Sequence, residues 1–191
     1  DSSYRLHASE YAKDIINKYG LAGKPFITVA LSLDMNNEHI SGTRLWAAER
    51  YDELIALIKR EWPDVMIVQL GGSKEKCVPL AVDLDLVGQT SLGELLALLE
   101  ASALHIDGEC GMVHMRHFLG GGPSLVLFGP TSPKTKGYSE NINVRSTVCP
   151  FELCEWFVGK NWQTHCLRNG TADADCMKTL STRYVFEELL K

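Results

Sequence analysis

The sequence has 191 residues, enough for one well-cored domain, and its 45% hydrophobic and 23% charged residues are ordinary for a globular protein. Its formal net charge is −5 and it has no basic cluster, which argues against nucleic acid and an anionic membrane surface as general partners. No apolar run approaches the roughly 20 residues of a membrane span and no signal peptide opens the chain, so we expect a cytoplasmic domain.

The first half of the chain alternates helical and strand patterns. Apolar residues recur at helical spacing between about positions 4 and 19, and Gly20 is a suitable C-cap. The apolar, β-branched run Phe26–Leu31 predicts a buried parallel strand. A long polar loop follows, and Trp46–Arg60 then predicts an amphipathic helix with Tyr51, Leu54, Ile55 and Ile58 on its apolar face.

The same alternation continues toward the middle of the chain. Val65–Leu70 predicts a second strand, and Asp85–Val87 a shorter third one. Ser91 and Glu94 form a capping-box pattern that opens a helix ending near Glu100. Alternating strands and helices predict an α/β fold with a doubly wound, Rossmann-like and mostly parallel sheet.

The stretch from Ala103 to Thr131 is the part around which the chain is organised. It reads as a strand, a Gly-bearing turn, a helix, a Gly-rich loop and a second strand that ends in a Gly-Pro-Thr turn. Both turns leave the carboxyl ends of strands, where open α/β sheets bind their ligands. The first turn also opens a helix, whose free N–H groups suit a phosphate. Ile142–Val144 is a weak sixth strand, and a final helix near Ser181–Leu190 should pack back on the sheet.

Four motifs between Thr90 and Asn141 occur in a characteristic order and spacing. They are Thr90-Ser91-Leu92 at a helix start, Gly111-x-x-His114, Phe128-Gly-Pro-Thr131 and Gly137-Tyr138-x-x-Asn141. With them the chain resembles the C-terminal half of glycosyltransferase family 9, the family of the ADP-heptose:lipopolysaccharide heptosyltransferases. The resemblance runs from the strand at Phe26 to the final helix.

The resemblance implies a GT-B architecture, in which two Rossmann-like domains face each other across a cleft. The C-terminal domain of such enzymes binds an ADP-sugar or another NDP-sugar. The N-terminal domain binds the lipopolysaccharide, glycan or protein acceptor and supplies the catalytic carboxylate. Because this chain has no counterpart of that domain, we expect the catalytic base to lie outside it. The family implies inversion at the anomeric carbon of the sugar in one displacement without a metal cofactor. It also implies an enzyme that is at most peripherally associated with the inner face of a bacterial membrane.

The resemblance also implies a donor-binding turn. Gly111 and His114 match an Asp-Ser/Thr-Gly-x-x-His pattern that contacts the diphosphate and the sugar. The acidic position falls on Glu109 and the hydroxyl position on Cys110, with Asp107 as a rival for the acidic role. The other implied donor-site residues are Thr43 and Arg44 at the phosphates, Thr90 at the nucleobase, Lys74 or Glu75 near the ribose, and Thr131 and Tyr138 at the cleft mouth. Arg44 and Lys74 would stabilise the charge of the leaving diphosphate.

Four cysteines crowd the last quarter of the chain. Cys149, Cys154, Cys166 and Cys176 follow the spacing C-x4-C-x11-C-x9-C, which makes them candidate ligands of a structural zinc or iron ion. Two disulfides and four buried reduced thiols are the alternatives, and a cytoplasmic location argues against disulfides.

The predicted organisation is a donor-binding domain over residues 1–146, a Cys-rich appendage over 147–180 and a C-terminal helix over 181–191. The alternative function is a non-catalytic nucleotide-sugar-binding or scaffold module. A dinucleotide enzyme is disfavoured because no G-x-G-x-x-G follows the first strand. His105 and His117 are predicted to be ordinary strand and helix residues.

Overall fold

The structure, a computed structural model, describes residues 9–31, 42–72, 77–149, 154–157 and 162–191. The strands are β1 (Phe26–Ala30), β2 (Met66–Leu70), β3 (Leu84–Asp85), β4 (Leu104–Gly108), β5 (Ser124–Phe128) and β6 (Ile142–Arg145). The helices are α1 (Ser9–Lys18), α2 (Ala48–Glu61), α3 (Leu92–Ala101), α4 (Gly111–Leu119), α5 (Pro133–Lys136), α6 (Cys154–Phe157), α7 (Asp175–Lys178) and α8 (Thr182–Leu189).

The six strands form one sheet in the order β3-β2-β1-β4-β5-β6, and every neighbouring pair is parallel. β1 and β5 are buried along their whole length, as expected for strands covered by helices on both faces. The predicted α/β fold with a parallel sheet is therefore confirmed. The third strand begins one residue earlier and ends two residues earlier than the predicted Asp85–Val87, and the weak sixth strand is present.

The helix ends follow the capping patterns of the sequence. Ser91 caps α3, where its hydroxyl accepts the Glu94 N–H while the Glu94 carboxylate accepts the Ser91 N–H, as the capping box predicts. Gly20 ends the first helix with φ +67°, and the Leu21 N–H donates to the Ile16 carbonyl. Gly120 ends α4 in the same left-handed conformation, which favours glycine.

Two apolar cores cover the two faces of the sheet. One joins the predicted face of α2 to strands β1, β4 and β5, and also contains Leu180 and Val185 from the C-terminal part of the chain. The other packs α1 and α3 against the opposite face, with Phe26 and Leu70 among its members. Among the residues that the structure describes, every helix is too short or too polar to span a membrane.

The C-terminal part of the chain is tied to α2 through polar side chains. The Trp46 indole N–H donates to the Leu180 carbonyl at 2.8 Å, and the Arg50 guanidinium donates to the carbonyls of Met177, Lys178 and Leu180. Cys149 and Cys176 belong to the same core as Trp46, Met177 and Leu180. Part of the predicted Cys-rich appendage thus packs into the main domain, because the side chains of Cys149, Ala174, Cys176, Met177 and Leu180 join the core on one face of the sheet.

A buried arginine fixes α4, the helix that carries the Gly-x-x-His motif. Arg116 is fully buried and donates to the carbonyls of Leu99, Ser102 and Pro123 and to the Ser102 hydroxyl. Burial lowers the pKa of Arg116 to about 10. These bonds join α4 to the end of α3 and to the start of β5, so the position of α4 on the sheet is set from its interior side.

Candidate functional site

The strand order reverses direction between β1 and β4, which makes this pair the topological switch point of the sheet. Open α/β sheets bind ligands in the crevice at the carboxyl ends of the strands at such a point. The turn after β4 carries Glu109 and Cys110 and leads into α4. A short 3₁₀ turn, Gly42–Arg44, lies in the connection that follows β1 and reaches the same edge.

Four of the predicted site residues meet at this edge. The Arg44 guanidinium donates to the Glu109 carbonyl and lies 3.5 Å from the Glu109 carboxylate. His114 Nε2 lies 3.3 Å from Glu109 Oε1, and His114 Nδ1 lies 2.8 Å from the Tyr138 hydroxyl. The cluster of Arg44, Glu109, His114 and Tyr138 therefore joins the connection after β1, the turn after β4, helix α4 and the loop after α5.

One tautomer of His114 gives the hydrogen bonds of this cluster a single consistent direction. Burial, followed by the negative charges of Glu140 and Glu109, raises the pKa of Tyr138, so its hydroxyl stays protonated and can donate. In the neutral His114 tautomer with its proton on Nε2, Tyr138 donates to Nδ1 and Nε2–H donates to the Glu109 carboxylate. In this arrangement the last acceptor is the Glu109 carboxylate, which also forms an ion pair with Arg44.

The two acidic candidates of the turn have different partners. Asp107 is 2% exposed, and its carboxylate accepts the Gly108 N–H and the Cys110 thiol, each at 2.7 Å. Burial and the Asp107 charge raise the pKa of Cys110 well above its usual value, so this thiol remains protonated. Glu109, not Asp107, is the carboxylate in the cluster with Arg44 and His114, while Asp107 and Cys110 fix the turn from inside.

The start of α4 is open toward the edge of the sheet. The first N–H groups of a helix have no partner within it and carry the positive end of its dipole. A Cβ built on Gly111 would meet no atom within 4 Å, so the backbone is unobstructed here. An anionic group could therefore approach these N–H groups closely, beside Arg44.

The remaining predicted donor-site residues are less closely gathered. Thr43 is buried, and its hydroxyl donates toward the carbonyls of Trp162 and Gln163, at 2.9 and 3.1 Å. Thr131, after β5, is also buried, and its hydroxyl has no hydrogen-bond partner within the described part of the chain. Thr90 is half-buried just before the α3 cap. Lys74 and Glu75 lie outside the described residues.

The four clustered cysteines line one small cavity. Cys149, Cys154, Cys166 and Cys176 share it with side chains that include Thr43 and His165. None of the six cysteines, all of which lie in the described part of the chain, forms a disulfide. Burial, and then the neighbouring thiols, raise the pKa of Cys154 and bring that of Cys176 to about 12. The described residues nevertheless hold no group of three or more His, Cys, Asp or Glu side chains placed to bind a metal ion.

One further residue contacts the cluster. His117, predicted to be an ordinary helix residue, stacks on the Tyr138 ring with centroids 3.6 Å apart and planes 9° apart. The signal that could have found it is the spacing of His114 and His117, since residues three apart share one face of a helix. His105 is fully buried in β4, where its ring lies 3.0 Å from the Thr28 hydroxyl and 3.6 Å from Asp107.

Several solved structures share this fold at low sequence identity. The structure of Escherichia coli ADP-heptose LPS heptosyltransferase II matches with a TM-score of 0.68 and 18% identity, over 97% of this chain and 52% of that one. The Escherichia coli heptosyltransferase WaaC with ADP-2-deoxy-2-fluoro heptose matches with a TM-score of 0.59 and 13% identity, over 94% and 47%. A glycosyl transferase family 9 structure from Veillonella parvula matches with 0.56 and 16%, over 97% and 55%.

The chain thus spans about half the length of the solved structures that it matches. No curated protein matches its sequence. The sequence profile of glycosyltransferase family 9 (heptosyltransferase) matches residues 7–151, which include all of the sheet and the whole cluster around Glu109. This match covers most of the chain and agrees with the motifs at positions 90, 111, 128 and 137. The chain belongs to glycosyltransferase family 9.

Proposed function

We propose that this chain is the donor-binding half of an inverting glycosyltransferase that uses an ADP-sugar or another NDP-sugar. The observation that carries the proposal is the meeting of Arg44, Glu109, His114 and Tyr138 beside the open start of α4. A cation and the N–H groups at a helix start suit a diphosphate, and a carboxylate, an imidazole and a phenol suit the hydroxyls of a sugar.

In the proposed reaction an acceptor hydroxyl attacks the anomeric carbon of the sugar as the bond from that carbon to the diphosphate oxygen breaks. The diphosphate leaves with the electron pair, and the acceptor proton passes to a carboxylate of the acceptor-binding half. The role of this chain is to hold the donor and to stabilise the charge that develops on the leaving diphosphate. Arg44 and the first N–H groups of α4 supply that stabilisation.

The test is calorimetric titration of the chain with ADP and with ADP-heptose. Gly111→Val places a branched side chain where the diphosphate would approach, yet a Cβ there meets no protein atom, so binding should be lost without a lower melting temperature. His114→Ala removes one hydrogen-bonding group and should weaken ADP-heptose binding about tenfold. The absence of binding, or binding that neither substitution alters, would refute the donor site.

A non-catalytic nucleotide-sugar-binding or scaffold module is the second candidate. Both candidates bind the donor. They differ when the chain is part of, or is mixed with, an acceptor-binding half: only the enzyme releases ADP from ADP-heptose in the presence of an acceptor.

We also propose that the four clustered thiols hold a structural zinc or iron ion. The donor set has suitable chemistry, because four thiols outside any disulfide line one cavity and thiolates are preferred ligands of both metals. No described group is already placed for coordination, so the thiols would have to move together and lose their protons on binding. Cys149, Cys154, Cys166 and Cys176 would be the ligands, and the ion would stabilise the fold without taking part in the reaction.

A further inference from the structure

Tyr138 is held between two histidines of the same helix. Its ring faces His117 in a stacked arrangement, with centroids 3.6 Å apart and planes 9° apart. Its edge contacts His114, whose ring is 5.5 Å away at 81°, and its hydroxyl lies 2.8 Å from His114 Nδ1. His117 thus touches the face of the tyrosine whose hydroxyl orders the site.

His117 is itself held by the loop that carries Tyr138. Its Nδ1 hydrogen-bonds the Glu140 carboxylate. Burial acts to raise the pKa of Glu140, but hydrogen bonds from its own backbone N–H and from His117 outweigh this effect and lower it, so the carboxylate is charged. The Asn143 amide donates to the Tyr138 carbonyl at 2.8 Å, which fixes the same loop at its other side.

Tyr138 would be poorly placed without a partner for its ring. Its loop connects α5 to β6, whereas its hydroxyl acts on a residue of α4. A hydrogen bond through one rotatable hydroxyl does not fix the plane of the ring, whereas a face-to-face contact does. The stack therefore sets the direction from which the hydroxyl meets His114.

We propose that His117 is a positioning residue of the donor site, which acts by holding the Tyr138 ring so that its hydroxyl stays on His114. His114 Nε2 in turn contacts Glu109. A displaced Tyr138 ring would therefore shift His114 and alter its contact with the Glu109 carboxylate. The inference rests on the proposed function, because it concerns how the residues that would bind the donor are held in position.

The test measures ADP-heptose affinity by calorimetry and the melting temperature by circular dichroism for four variants. His117→Leu removes the aromatic face and should weaken binding about threefold to tenfold, with little change in melting temperature because His117 is partly exposed. His117→Phe restores a flat ring and should recover affinity to within about twofold. Rescue by phenylalanine but not by leucine would not follow from a merely structural role.

A double-mutant cycle decides whether His117 acts through Tyr138. Tyr138→Leu should weaken binding, and adding His117→Leu to it should cause no further loss, because the residue through which His117 acts is already gone. Additive losses, or a His117→Leu variant that binds normally while His114→Ala does not, would overturn this inference and leave the donor site standing. If the unaltered chain binds neither ADP nor ADP-heptose, the proposed function fails and this inference fails with it.

Discussion

Asp107 and Glu109, two residues apart at the end of β4, have opposite surroundings. Asp107 is buried and serves the turn itself through Gly108 and Cys110. Glu109 faces Arg44 and His114 at the edge of the sheet. The negative charge of Glu109 would repel a diphosphate. In the proposed donor site Glu109 is therefore better suited to the hydroxyls of a sugar than to a phosphate.

Glu109→Gln should consequently reduce the preference of the chain for an ADP-sugar over ADP. Loss of a charge-assisted acceptor should weaken ADP-heptose binding about tenfold or more, while ADP, which has no sugar to contact, should bind as well as before or better. Parallel calorimetric titrations with the two ligands measure the ratio. Asp107→Asn is the matched control, and it should lower the melting temperature. Equal losses for both ligands in Glu109→Gln would contradict this role.

The sequence predicts candidate site residues that belong to a linear motif, but not contacts that depend on packing. Gly111 and His114 could be predicted as candidates because their spacing in the sequence is short. His117 is missed because its contact with Tyr138 depends on how α4 lies beside a loop that follows the next strand. The direction of Thr43 is missed for the same reason, since its hydroxyl bonds to carbonyls about 120 residues further along.

Helix α3 shows how one capping residue links two elements. Glu94 completes the capping box of α3 and also accepts a hydrogen bond from Lys18 at the end of α1. The bond from Lys18 and then those involving Ser91 lower the pKa of Glu94 from 4.5 to about 2. Because α1 and α3 share one of the two cores, this carboxylate stabilises both the cap and the packing of the pair.

Glu94 should therefore give the fold part of its acid sensitivity. Its pKa is lower in the folded than in the unfolded chain, so its contribution is complete above pH 4.5 and is lost as the pH falls through about 2. Glu94→Gln should reduce the loss of unfolding free energy between pH 4.5 and 2, measured by urea unfolding at several pH values. Lys18→Met removes the largest cause of the shift and should act in the same direction. An unchanged pH dependence in both variants would show that this carboxylate does not contribute.

Most elements could be predicted because their signals are local. The capping box, the glycine C-cap at Gly20 and the apolar face of α2 all appear where the sequence places them. The predicted Cys-rich appendage is a different case. Its polar and cysteine-rich composition suggested a separate region, yet Trp46 and Arg50 of the main domain bind its backbone. Contacts between residues so far apart in the sequence cannot be predicted from amino-acid composition.

On the scale of the whole molecule, the proposed donor site and the cysteine cavity are joined. Thr43 lines the cavity and bonds to the segment that precedes Cys166, while the next residue, Arg44, contacts Glu109. The C-terminal part of the chain therefore holds Thr43, the residue next to Arg44 of the proposed donor site. Whatever stabilises the cysteine cavity should also keep Arg44 in place.

The proposed metal ion gives this connection a direct test. The purified chain should contain about one zinc or iron ion, measured by elemental analysis, and Cys176→Ser should lose it. Cys77→Ser, a change of the same kind outside the cavity, should retain it.

Because a bound metal stabilises only the folded state, chelation should lower the melting temperature and, through Thr43 and Arg44, weaken ADP binding. A metal-free chain, or a metal content that Cys176→Ser leaves unchanged, would rule out these thiols as ligands. Metal loss that lowers stability but not ADP affinity would instead show that the cavity and the donor site are independent.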